Sequence, residues 1–96
     1  MTVDELLSKY IHNTERVFAE MKLSHGITHI DRKKASNIID TAKRYLEDAK
    51  YYQQKKRFET GLASVAYSEG LLDALRLLEI AEFQWSTQER GMPKTA

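Results

Sequence analysis

The chain has 96 residues, 42% hydrophobic and 30% charged, with no cysteine and a formal net charge of +1. These figures fit one ordinary globular domain and argue against a disordered chain, a disulfide framework or a thiolate metal site. The N-terminus, MTVDELLSKY, carries acids where a signal peptide would carry lysines, and no run nears the roughly 18 apolar residues of a membrane span, so a cytoplasmic protein without membrane association is expected.

One proline and four glycines leave long stretches with helical rather than strand periodicity. The first helix is expected over about 2–24. Thr2 with Glu5 makes a capping box, and Val3, Leu7, Tyr10, Thr14, Val17 and Met21 recur at three- and four-residue steps before Gly26. The second is expected over about 29–56, capped by Thr28 or Asp31, with an inner stripe of Ala35, Ile38, Ala42, Tyr45, Ala49 and Tyr52. The third is expected over about 60–86. The polar stretch that follows, with Gly91 and Pro93, reads as a flexible tail over 89–96. Short connections make consecutive helices antiparallel, so the expected fold is all-α, a three-helix up-and-down bundle forming a single domain over 1–88.

The third helix is apolar on nearly every side. Ala63, Ala66, Tyr67, Gly70, Leu71, Ala74, Leu78, Ala81 and Trp85 share one broad face, and Val65, Leu72, Leu75 and Phe83 lie on the other. Two neighbours in a bundle cannot cover so much apolar surface. A self-association surface at Val65, Leu72, Leu75 and Phe83 is therefore expected. Gly70 costs about 1 kcal/mol against alanine inside a helix. Its expected use is close approach of another helix along a groove widened by Ala63, Ala66 and Ala74.

Glu69 and Asp73 sit one turn apart in that helix. With Asp48 they would make an oxygen-rich cation pocket. The favoured reading is instead a structural polar cluster of Arg44, Asp48, Tyr67, Glu69, Asp73 and Arg76, each acid having a basic or hydroxyl partner. His25, His29 and Asp31 fall close together but lack the second half of a zinc motif, and read as a solvated turn. No metal, cofactor or catalytic residue is assigned. The chain lacks a cysteine nucleophile, a Gly-rich phosphate loop, and GxSxG or HExxH strings.

Charge is unevenly distributed. Residues 29–57 carry nine Lys or Arg against four acids, a net of +5, and residues 58–85 carry one Arg against five acids, a net of −4. Lys43, Lys50, Lys55, Lys56 and Arg57 could form a basic face for phosphates or RNA. Interspersed Asp40 and Glu47, and the acidic third helix, argue for neutralisation within the protein.

The stretch from Tyr45 to Leu78 resembles the archaeal family known as domain of unknown function 357. The likeness rests on Tyr45, Asp48, Ala49 and Tyr52, a short turn, then Ala63, Ala66, Tyr67, Gly70, Leu72, Asp73 and Ala74. It implies a small three-helix bundle and no activity. The same hairpin resembles HEPN domains more loosely, without the Arg and His pair of their ribonuclease members: no His follows position 29. The function expected from the sequence is a non-enzymatic interaction or oligomerisation module, with a homo-oligomer or another protein as partner. The alternative is a phosphate- or RNA-binding accessory protein.

Overall fold

In a computed structural model, which describes residues 1–23 and 31–85, the chain forms α1 (Val3–Glu20), β1 (Lys22–Leu23), α2 (Arg32–Gln54), α3 (Phe58–Leu77) and β2 (Ala81–Glu82). The three helices build the antiparallel up-and-down bundle that the periodicity predicts. Thr14 of α1 reaches Glu69 of α3, Gln53 of α2 reaches Asp4 and Ser8 of α1, and Ser68 of α3 reaches Ala42 of α2. The expected tail, the His25–His29 pair, Gly26 and the candidate cap Thr28 lie outside the described residues.

Each helix boundary has a local cause. At α1 the capping box forms: the Thr2 hydroxyl accepts from the Glu5 amide at 3.0 Å, and the Glu5 carboxylate accepts from the Thr2 amide at 2.7 Å. The helix stops at Glu20, short of the expected Ser24, because Met21 turns extended and Lys22–Leu23 pairs antiparallel with Ala81–Glu82. Of the two candidate caps for α2, Asp31 accepts the Lys34 amide at 2.8 Å.

The C-termini of α2 and α3 close the same way. The Arg57 amide donates to the Tyr52 carbonyl and the Lys56 amide to that of Gln53; likewise Ile80 donates to Leu75 and Glu79 to Arg76. This is the paired bonding of the Schellman motif, whose turning residue is left-handed. Lys56 (φ 61°) and Glu79 (φ 62°) hold the positions where glycine is usual. Without a glycine signal, the sequence-based end of α3 near residue 86 fell about two and a half turns too late.

The core has two adjoining parts. Leu7, Ile11, Leu46, Ala49 and Val65 fill one; Val17, Ala35, Ala42, Leu72, Leu75, Ile80 and Ala81 fill the other. Alanines 35, 42 and 49 recur every seven residues along α2 and are fully buried, so α3 packs close against a smooth surface. Gly61 extends this closeness: a β-carbon there would lie 2.7 Å from Leu7 Cδ2 and 3.3 Å from the Ala49 carbonyl oxygen.

α3 is rotated relative to the sequence-based expectation. Val65, Leu72 and Leu75 face the core at no more than 1% exposure, while the face bearing Ala63, Ala66, Tyr67, Gly70 and Ala74 is exposed. The physical reason is volume. Fully burying a Val or Leu side chain is worth about 1.5–3 kcal/mol, whereas an alanine brings far less area. Over residues 63–75 the inward side offers Val65, Leu72 and Leu75, whereas the opposite face offers mainly alanine and glycine, with Tyr67 keeping a polar hydroxyl that can stay in water. The polar position on the buried side, Ser68, is satisfied by the Ala42 carbonyl at 2.7 Å.

Candidate functional site

The rotation of α3 decides what the surface offers. Val65, Leu72 and Leu75 are core residues and cannot form the expected self-association surface. Phe83, beyond the helix, is half-buried and packs edge-to-face on Trp85 with ring centres 5.1 Å apart.

The expected polar cluster is divided among four settings. Asp73 accepts from Arg76 Nε at 2.9 Å and from Trp85 Nε1 at 3.1 Å, tying the segment after α3 back onto the helix. Glu69 turns toward α1 and the buried Thr14 hydroxyl, 3.5 Å away. Arg44 and Asp48 are exposed on α2, where Arg44 donates to Thr41 Oγ1 and both line a shallow open depression with Lys43. Tyr67 stacks on Tyr45, centroids 4.3 Å apart. Among the described residues no group of three or more His, Asp or Glu could hold a metal ion.

The basic residues of α2 and of the turn that follows it differ in their surroundings. Lys50 is claimed by Glu15 and Glu47. The hydrogen bond that Lys50 donates to Glu15 is the largest influence on it and raises its pKa above the usual 10.5, against an opposing effect of burial; Glu47 raises it further. Lys55 lies over the Tyr51 ring and Arg57 over the Tyr52 ring. Lys43 and Lys56 are exposed.

What remains is the outward face of α3. Ala63, Ala66, Tyr67, Gly70, Ala74, Leu77 and Leu78 form a continuous exposed strip with no charged residue among them. Tyr67 is 56% exposed, and Leu77 and Leu78 are 61% each. The small-residue groove expected at Gly70 is present but empty: a β-carbon there would meet nothing within 4 Å. The glycine used for close approach inside the bundle is Gly61, which sequence reasoning missed. Its spacing ahead of Val65, Ser68, Leu72 and Leu75 was the available signal, since all five share the buried face.

A three-helix module that, among the described residues, leaves an apolar helix face exposed is thus the class of protein that the fold and surface define. A family model described as "Protein of unknown function (DUF357)" matches residues 9–81, and the chain belongs to that family. No curated protein and no solved structure matches it. Among the described residues, no helix is long and apolar enough to cross a membrane.

Proposed function

We propose that this chain is a non-enzymatic helical contact module that binds other protein through the outward face of α3. The observation that carries this reading is the strip from Ala63 to Leu78, where three large apolar side chains stand more than half exposed and uninterrupted by charge. Contiguous exposed apolar surface of this kind marks interaction sites. Gly70 supports the same reading. It weakens α3 by about 1 kcal/mol relative to alanine, and none of the described residues uses the space left by its missing side chain. With Ala66 and Ala74 one turn to either side, it leaves backbone accessible to a second helix at short distance.

The test is a variant carrying Leu77→Glu and Leu78→Glu. Both residues are exposed, so helix content and unfolding midpoint should stay near those of the parent. The native mass of the protein in fresh extract of its own cells should fall to that of a free chain. A parent protein already migrating as a free chain, or a complex indifferent to both substitutions, would remove the proposal.

A further inference from the structure

The strip on α3 has a polarity of size that bears on its occupant. We propose that the occupant is a second copy of this chain, docked with the two α3 helices antiparallel and Gly70 on the two-fold axis. This rests on the contact reading above and specifies the partner.

Size is the first argument. Along the middle of the strip Ala63 and Ala66 precede Gly70, and Ala74 and then Leu77 follow it, while Tyr67, stacked on Tyr45, and Leu78 stand on one flank. Reversal about Gly70 sets position 66 against 74 and position 63 against 77. Leu77 of each copy then covers Ala63 of the other, and the two glycines meet where the backbones are closest. A parallel pairing would oppose Leu77 to Leu77 and leave Ala63 facing Ala63, bulk against bulk and gap against gap.

Charge is the second. The Ser68–Ala42 hydrogen bond and the Tyr45–Tyr67 stack fix the register of α2 against α3, so that Gly70 lies level with Thr41. Lys34 and Asp48 are both exposed, each seven residues from Thr41 along the flank of α2 that carries Tyr45. The same two-fold therefore turns Lys34 of one copy toward Asp48 of the other, twice over. Area sets the strength. A strip of about 24 Å, two helices wide, offers on the order of 500 Å² per copy, which suits weak and reversible pairing.

The chain has no cysteine, so introduced cysteines report proximity cleanly. Sedimentation equilibrium of the purified full chain should show monomer and dimer exchanging with concentration. Leu77→Glu should weaken the dimer by about tenfold or more. Under mild oxidation Gly70→Cys should link to itself. Ala63→Cys and Leu77→Cys should link to each other when mixed, and poorly alone. Lys34→Glu should weaken pairing, and adding Asp48→Lys should restore it. A chain monomeric at millimolar concentration, or Ala63→Cys linking to itself as readily as to Leu77→Cys, would overturn the proposal. If the pure chain is monomeric but a complex in cells is lost with Leu77→Glu and Leu78→Glu, the second copy is wrong and the contact face stands. A dimer indifferent to Leu77→Glu would overturn both.

Discussion

Ser68 on α3 donates its hydroxyl to the Ala42 carbonyl oxygen on α2 across 2.7 Å, with both residues fully buried. This bond fixes the rotation of α3: it can form only with Val65, Leu72 and Leu75 inward and the Ala63–Leu78 strip outward. Ser68→Ala should lower stability by about 1 kcal/mol, the usual net worth of a buried hydrogen bond. Ser68→Leu should cost more, because the fully buried Ala42 leaves no room for added bulk. Urea unfolding followed by circular dichroism measures both.

The glycines of α3 should respond to alanine with opposite sign. At Gly61 the new β-carbon meets Leu7 Cδ2 at 2.7 Å and the Ala49 carbonyl oxygen at 3.3 Å. Repacking the buried Leu7 should outweigh the gain in helix propensity, for a net loss of about 1–2 kcal/mol. At Gly70 the space is open, and alanine should stabilise the isolated monomer by about 1 kcal/mol. Unfolding midpoints at low protein concentration should move in opposite directions.

Lys56 and Glu79 turn the chain at two Schellman caps with φ near 61° and 62°. A left-handed conformation costs a residue with a β-carbon about 1–2 kcal/mol, and glycine recovers part of this against its greater freedom when unfolded. Lys56→Gly and Glu79→Gly should therefore each stabilise the fold by about 0.5–1 kcal/mol. Differential scanning calorimetry should show each melting temperature raised, with near-additive gains in the double variant because the two caps are separate.

Lys50 links α2 to Glu15 of α1 and to Glu47 of its own helix. Its folded pKa lies above the unfolded 10.5, so its stabilising contribution is complete below that pH and lost as pH rises through the higher folded value. All three side chains are more than a third exposed, so solvent screening keeps the Lys50–Glu15 coupling to about 0.5 kcal/mol. A double-mutant cycle with Lys50→Gln and Glu15→Gln should show that coupling at pH 7. It should diminish with added salt and disappear once Lys50 is deprotonated.

The helices of this bundle were legible because their signals are local. Thr2 and Glu5 make the capping box read from spacing alone, and Leu7, Ile11, Thr14 and Val17 repeat at helical intervals and are buried. The orientation of α3 was not legible, because apolar residues surround it and counting positions favoured the alanines. The inward side is marked instead by Gly61 and Ser68, which share a face with Val65, Leu72 and Leu75 and let α3 approach α2 closely. The end of α3 was hidden because Glu79 does a glycine's work. Each acid of α3 does find a basic or hydroxyl partner: Asp73 holds Arg76 of its own helix and also Trp85, while Glu69 reaches Thr14 of α1, a contact that spacing within α2 and α3 could not indicate.

The outward face of α3 is tested most directly by a photo-crosslinking residue placed at Leu77 in the full chain, compared with one at Lys43, both in the protein's own cells. Covalent adducts to protein should form at position 77 and be rare at position 43. Adducts confined to position 43, or to RNA at that position with none at 77, would contradict the contact face and move the site to the basic side of α2.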